Sequence, residues 1–174
     1  GPDVNESQIG FGVNKHGEIR FGLSAIKGMG ASAADSIVRE RTENGPYKDI
    51  YDFAERVDLS NVNRKAFESL AYSGGFDSFG LQREQYFAVT AKGDLFLDTI
   101  VRYGQLFQAE KAQQQNSLFG GMDAIDVVHP IAPKAEKWPV IEKLNKEREL
   151  VGIYLSAHPL DEYSVVLNNM CNTH

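Results

Sequence analysis

The segment Ile26-Lys27-Gly28-Met29-Gly30, directly before a predicted helix at Ala31, is the strongest constraint on the fold. Two glycines one residue apart allow the backbone to turn tightly and leave amide N–H groups pointing outward. The helix that follows adds its own unpaired N–H groups and the positive end of its dipole. Such a turn favours the binding of an anion, and it suits a phosphate group.

Three structures fit this turn. The first is a dinucleotide-binding fold, because Gly28-x-Gly30-x-x-Ala33 matches its loose fingerprint. That fold needs a second buried strand, whereas Gly45-Pro46-Tyr47 and another amphipathic helix follow here. The second is an ordinary helix start in which the glycines allow close packing. The third is a helix-hairpin-helix that binds the DNA backbone, with a short helix before Gly28.

The surrounding residues predict a mainly α chain with a small β-hairpin at its N-terminal end. Two short apolar runs flank a turn at 14–17 and predict the hairpin, with strands within 9–13 and 19–23. Apolar residues with helical spacing predict helices over 31–43, 49–57, 63–73 and most of 82–112. If the first turn belongs to a helix-hairpin-helix, the helices over 49–57 and 64–73 would be a second, degenerate copy of that motif, which lacks the glycine pair.

Composition changes after residue 112. A glutamine-rich and then glycine- and proline-rich stretch predicts an extended linker over 113–138. Helical charge patterning returns over 142–151, Pro139 suits a first helical position, and a last short helix is expected after Pro159. We therefore divide the chain into a tandem helix-hairpin-helix unit, a helical segment, the linker and C-terminal helices, over 1–80, 81–112, 113–138 and 139–174.

Charge and composition exclude several classes of protein. The net charge of −6 over 174 residues argues against a surface coated in basic charge for bulk nucleic-acid binding. No apolar run approaches a membrane span, and no secretory signal is visible. The single cysteine, Cys171, can form no internal disulfide. We expect a cytoplasmic protein with no membrane partner, no metal or cofactor, and no catalytic set of nucleophile, base or metal ligands.

Longer stretches of the sequence resemble a known family. The runs Pro2-Asp3-Val4-Asn5-Glu6-Ser7, 19–30 and Tyr154-Leu155-Ser156-Ala157-His158-Pro159-Leu160 are similar to bacterial replicative DNA polymerase III α subunits. The resemblance covers nearly the whole chain and is poorest over 86–112 and 122–137; the family more often has glycine at Ala157. It implies an internal fragment with the end of the fingers region and the helix-hairpin-helix region, without the palm and its Mg²⁺-binding aspartates.

This resemblance implies a non-catalytic module that binds duplex DNA without sequence specificity. The expected DNA-contacting residues lie at the two hairpins: Lys27, Gly28, Met29, Gly30, Arg64 and Lys65. Few phosphate contacts predict weak DNA binding by this chain alone. The motif also allows a monovalent cation at the first hairpin. The remaining domains of the parent polymerase and the replisome subunits are implied as further partners.

A short motif in the linker, Gln115-Asn116-Ser117-Leu118-Phe119, points to a protein partner. Burying a leucine or a phenylalanine contributes about 1.5–3 kcal/mol, so an apolar pair in a polar linker suggests a pocket on another protein. The Gln115 amide can anchor a peptide because it both donates and accepts hydrogen bonds. The pattern Gln-x-x-Leu-Phe resembles the peptide that binds the bacterial β sliding clamp.

We therefore expect clamp-binding residues at Gln115, Ser117, Leu118 and Phe119. Two alternatives stay open from the sequence. Leu118 and Phe119 can fold back onto their own domain. The whole chain can also be a stand-alone helix-hairpin-helix adaptor of DNA repair or nucleic-acid binding, in which the Gln-x-x-Leu-Phe motif is incidental.

Overall fold

The computed structural model describes residues 1–14, 16–116 and 127–157. The described elements are mainly helical: β1 (Gly12–Val13), β2 (Ile19–Arg20), α1 (Ala31–Asn44), α2 (Ile50–Arg56), α3 (Arg64–Ser73), α4 (Arg83–Tyr86), α5 (Phe96–Asn116) and α6 (Val140–Val151). Two 3-10 turns lie at Leu23–Ala25 and Asp77–Phe79. The predicted mainly α class with a small N-terminal β-hairpin is confirmed. No helix in the described part of the chain is long and apolar enough to cross a membrane.

The β-hairpin is shorter than the two apolar runs predicted. β1 and β2 pair antiparallel, with Gly12 opposite Arg20 and Val13 opposite Ile19. Strand pairing ends at Arg20 because a 3-10 helix begins at Leu23, whose side chain is fully buried. Gly22 makes this turn possible, since a Cβ on it would lie 2.4 Å from the carbonyl carbon of Gly10.

α1, α2 and α3 begin and end within a residue or two of the predicted ranges, and side-chain caps fix the starts of α2 and α3. The Asp49 carboxylate accepts hydrogen bonds from the N–H groups of Tyr51 and Asp52, both at 2.8 Å, and begins α2. The Asn63 side chain accepts from Ala66 N–H at 3.1 Å and begins α3. Each cap satisfies amides that have no partner within the helix.

An aromatic cluster on α2, α3 and the following turn forms the centre of the core. The ring of Phe53 lies 5.3 Å from that of Phe67 and 5.1 Å from that of Phe76, both edge-on. All three side chains are essentially inaccessible to solvent. Edge-to-face pairs of this kind add about 0.5–1.5 kcal/mol each beyond the area they bury. The cluster therefore holds the second helix-hairpin-helix together.

Residues 2–7, one of the stretches that resemble the family, connect distant parts of this core. The Asn5 side chain donates to Tyr47 O and accepts from Tyr47 N–H, both at 2.8 Å. Val4 N–H donates to Gly75 O at 3.0 Å, and the Val4 side chain is fully buried. The run therefore ties the α1–α2 junction to the end of α3, which is a structural role.

The predicted helix over 82–112 is wrong in its middle. Only four residues form α4, and Gly93 then turns the chain with a φ of +90°. A bridge between Val89 and Leu95 closes this turn before α5 begins. The later part of the prediction agrees with α5, on which Phe96, Ile100 and Tyr103 are buried at helical spacing.

α5 continues to Asn116, beyond residue 113 at which the linker was expected to begin. Glutamine is a good helix former, so the run 113–115 extends the helix that precedes it.

Residues 127–139 run in an extended conformation across α2 and α4. Tyr51 Oη donates to Pro130 O at 2.5 Å, and Gln85 Nε2 donates to Pro133 O at 3.0 Å. Pro139 is the residue before α6, with a ψ of 141°, and not the first helical residue as predicted. The helix expected after Pro159 lies outside the described residues.

A buried ion pair fixes α6 against the rest of the fold. Glu147 is fully buried and accepts from Arg83 Nη1 at 2.6 Å; Arg83 is 5% exposed and also pairs with Asp77. Ser156 donates both its hydroxyl and its N–H to the same carboxylate. Burial would raise the pKa of Glu147, but the hydrogen bonds from Ser156 and Arg83 outweigh it and hold the pKa below the usual value.

Gly104 lies where α5 packs directly on the backbone of α2. A Cβ there would lie 2.6 Å from Ala54 O, and the residue is buried. We expect Gly104→Val to lower the free energy of unfolding by about 1–3 kcal/mol in urea titrations, because the two helices must separate. Ala109→Val, at an exposed position on the same helix, is the control. Equal stability of the two variants would contradict this packing.

Candidate nucleic-acid interface

The first hairpin consists of the 3-10 turn Leu23–Ala25, the glycine-containing turn and α1. Its apolar residues point inward, since Ile26 is 1% and Met29 is 6% exposed. Lys27, Gly28 and Gly30 are exposed. Gly28 has a φ of +89°, a backbone conformation that residues other than glycine rarely adopt. The turn is therefore anchored from inside, and its glycines lie at the surface.

Some N–H groups of this turn donate hydrogen bonds within the chain, and others have no acceptor in the described residues. Lys27 N–H donates to Leu150 O at 2.8 Å, and Met29 N–H donates to Ile26 O at 3.0 Å. Among the residues that the structure describes, none accepts a hydrogen bond from the N–H of Gly28, Gly30 or the first three residues of α1. These free amides, together with the positive end of the α1 dipole, favour an anion.

A cleft of about 530 Å³ brings the two hairpins together beside Gly28. Lys27 and Gly28 line it from the first hairpin, and Arg64 and Lys65 line it from α3. The Ser69 hydroxyl donates to Lys27 O at 3.0 Å and holds the first hairpin against α3. Lys27 and Lys65 are both exposed and pair with no carboxylate in the described residues.

Two residues of the expected DNA-contacting set have other contacts. The Met29 side chain is part of the core. Arg64 pairs with Glu68 and, through Nε at 2.6 Å, with Asp98. The hydrogen bond to Asp98 raises the pKa of Arg64, although burial opposes the effect. The guanidinium is therefore already matched by two carboxylates, because α5 places Asp98 next to the start of α3.

α6 is the part of this cleft that sequence reasoning missed. Lys146 and Leu150 line the cleft opposite α3, and Leu150 provides the acceptor for Lys27 N–H. The Lys146 ammonium lies 4.5 Å from the centre of the Tyr72 ring. Residues 27 and 146 are far apart in the chain, so no local pattern could indicate this contact.

The second hairpin differs from the first in the charge of its turn. Asp58 follows α2 and is exposed; its carboxylate accepts from Ser60 N–H at 2.9 Å and from Asn61 Nδ2 at 2.6 Å. The hydrogen bonds from Ser60 lower the pKa of Asp58. An ionised carboxylate at this turn repels a phosphate, whereas the first hairpin presents free amides.

The expected clamp motif lies only partly within the described residues. Gln115 is exposed in the last turn of α5, and Asn116 ends that helix. Ser117, Leu118 and Phe119 lie outside the described residues. Within the described ranges, no three His, Cys, Asp or Glu side chains come together as metal ligands would.

Known proteins are similar to this chain in two ways. A family model described as a helix-hairpin-helix motif matches residues 1–86. The chain is 37% identical over 163 residues to the DNA polymerase III subunit alpha of Xylella fastidiosa, covering 93% of this chain and 13% of that protein. It is 37% identical over 177 residues to that of Haemophilus influenzae, covering 99% and 14%. It therefore spans about one-seventh of the length of the curated relatives that it matches.

We expect the same substitution to change stability differently at the two glycines of the first hairpin. Any residue with a side chain would be strained at position 28, because φ is positive there and its Cβ would lie only 2.7 Å from Ser69 Oγ. We expect Gly28→Ser to lower the free energy of unfolding by about 1–3 kcal/mol. Gly30 has a φ of −73° and open space, so Gly30→Ser should leave stability unchanged or raise it by capping α1. Thermal or urea unfolding of both variants tests this; equal effects would refute the assigned backbone geometry.

Proposed function

Because the chain belongs to the family of bacterial DNA polymerase III α subunits, of which it matches one segment, we propose that it is a cytoplasmic, non-catalytic DNA-binding module of a replicative DNA polymerase. One juxtaposition carries this proposal: the first hairpin, whose amides at Gly28, Gly30 and the start of α1 have no acceptor in the described residues, shares a cleft with Lys27 and Lys65, which have no carboxylate partner there. Amides and lysines are the groups with which proteins hold DNA phosphates.

The geometry supports one phosphate site at the first hairpin. The N–H groups of Gly30 and of the start of α1 have no acceptor among the described residues and can donate to phosphate oxygens. Gly28 lets the turn approach α3 closely, which places the Lys65 stem next to it. The core residues Ile26 and Met29 hold the turn rigid, so little ordering is needed when a phosphate binds.

This site is suited to DNA of any sequence. Phosphate contacts position a protein on the duplex and carry no base information. The net charge of −6 limits the attraction at long range, so we propose weak binding that depends on a few close contacts. A monovalent cation at the same turn is a further proposal; the Ile26 and Lys27 carbonyls each accept one hydrogen bond, and a carbonyl oxygen has two lone pairs.

Gly30→Asp tests the phosphate site without relying on an unstable variant. Aspartate is a favoured residue before a helix, so the fold should be retained, but its carboxylate would occupy the free amides and repel a phosphate. Two charges about 4 Å apart near a protein surface interact by roughly 1–4 kcal/mol. We expect roughly tenfold weaker duplex binding or worse, measured by fluorescence anisotropy at low salt.

Gln105→Glu is the matched control, because it adds the same charge at an exposed position of α5. Its duplex affinity should stay close to that of the unmodified chain. Unchanged binding by a folded Gly30→Asp variant would refute the phosphate site. A strong preference for one duplex sequence would also contradict the proposal, since phosphates do not specify sequence.

We further propose that Gln115, Ser117, Leu118 and Phe119 bind the β sliding clamp. The proposal is supported by the Gln-x-x-Leu-Phe pattern and by the exposure of Gln115 at the end of α5. A peptide tethered to a clamp on DNA raises the effective local concentration of the hairpin to about the millimolar range. Two weak contacts would then keep a polymerase on its template, which is a role in processivity. The polymerase reaction itself is proposed to belong to other regions of the parent.

Replacing both apolar residues of this motif tests clamp binding. We expect Leu118→Ala combined with Phe119→Ala to make binding to the purified clamp undetectable by calorimetry, from an expected affinity of about one micromolar, or about −8 kcal/mol. Gln115→Ala should cost less, about 0.5–1.5 kcal/mol, the net value of one hydrogen bond. Duplex binding should be unaffected in both variants.

The matched control is Val128→Ala combined with Ile131→Ala, which removes two strongly exposed apolar side chains from the neighbouring segment. This control should bind the clamp normally. Normal clamp binding by the Leu118 and Phe119 variant would rule out the motif.

A further inference from the structure

We infer that α6 extends the DNA-backbone surface beyond the first hairpin. Three lysines at or near its start, Lys137, Lys143 and Lys146, form a row that continues from Lys27 and Lys65. We call these three residues the α6 lysine row, and its ligand is the phosphate backbone of duplex DNA. This inference rests on the proposed function, and it adds residues to the surface that the hairpins provide.

Two neighbouring clefts establish that the row is continuous with the hairpin. The cleft beside Gly28 contains Lys146. A second cleft, of about 410 Å³ between α4 and α6, contains Lys137, Trp138 and Lys143. The two clefts meet at Trp138, because the Lys146 ammonium lies 5.0 Å from the centre of the Trp138 ring. The positive charges therefore follow one path across the molecule.

The geometry of α6 gives the row a spacing that suits a nucleic-acid strand. Lys143 and Lys146 are three residues apart and lie about 4.5 Å from each other along the helix axis. One DNA strand carries a charge about every 3.4 Å along the duplex axis. Leu144 and Glu147, on the adjoining face, are buried. The two lysines lie together on one side of this buried face and can reach neighbouring phosphates.

Most acidic groups of the two clefts already have partners. Asp77 and Glu147 pair with Arg83, and Glu68 pairs with Arg64. The Glu84 carboxylate accepts from Trp138 N–H at 2.9 Å. In the described ranges Lys137 and Lys143 pair with no carboxylate, and Lys146 lies 3.8 Å from Glu142. Glu149 also lines the cleft beside Gly28 and is exposed. Five lysines line the two clefts, whereas two of the carboxylates that line them, Glu84 and Glu149, pair with no cation among the described residues, so the unmatched charge is mainly positive.

α6 is also fixed relative to the hairpin before any ligand binds. Leu150 O accepts from Lys27 N–H at 2.8 Å, and the Arg83–Glu147 pair holds the middle of the helix. The row and the first hairpin therefore move as one body. A duplex that contacts Lys27 and Lys65 meets the row without a further ordering cost.

The experiment compares three double variants of the full 174-residue chain, each of which removes two positive charges. Lys137→Gln with Lys143→Gln tests the row, and Lys27→Gln with Lys65→Gln tests the hairpin. Lys92→Gln with Lys111→Gln is the control, because both lysines are exposed outside the two clefts. Lys146 is left intact because it packs on Tyr72 and Trp138. Duplex affinity is measured by fluorescence anisotropy between about 50 and 200 mM salt.

We expect the row variant to lower the slope of log affinity against log salt by about two, as the hairpin variant does. Its affinity should accordingly fall about tenfold less across this salt range than that of the unmodified chain. The control should keep the original slope. If the row variant keeps the original slope, as the control does, while the hairpin variant has a lower slope, the inference is wrong and the proposed function survives. If all three variants match the unmodified chain, the proposed DNA site fails as well.

Discussion

The burial of one carboxylate, Glu147, determines how the second half of the chain meets the first. A charge removed from water must be paired, and removing one partner of such a pair typically costs about 3–5 kcal/mol. Arg83 on α4 and the backbone and hydroxyl of Ser156 provide the partners. Glu147 can accept hydrogen bonds from Arg83 and Ser156 together only when α6 lies at one position along its axis. That position places Leu150 O against Lys27 N–H and turns Lys146 into the cleft beside Lys65.

The local balance of charges matters more for function than the net charge of −6. Arg64 carries a full charge at the start of α3, but Glu68 and Asp98 neutralise it. Lys27 and Lys65 have no carboxylate partner among the described residues, and their ammonium groups flank a turn with free amides. An acidic chain can in this way attract phosphates locally even though its net charge is negative.

The two hairpins share an architecture and differ in their turns. The first turn needs glycine at position 28, where φ is +89°, whereas Gly30 starts α1 with an ordinary φ of −73°. The second turn is closed by the Asp58 carboxylate, which uses its own neighbours as donors. The second hairpin instead provides α3, on which the first hairpin packs through Ser69. One hairpin thus presents the anion site and the other supports it.

The sequence by itself determined whatever depends on neighbours along the chain. Apolar spacing predicted the ranges of α1, α2 and α3 to within a residue or two, and the structure shows that Asp49 and Asn63 cap the last two through amides two or three residues away. The glycine pair at 28 and 30 predicted the anion-binding turn. Only the tertiary structure decided that Arg64 is neutralised by Asp98 and that α6 closes the cleft. Caps and periodicity act over one or two turns, whereas the Arg83–Glu147 pair joins residues 64 positions apart. Such contacts depend on how the helices pack, and no local pattern encodes them.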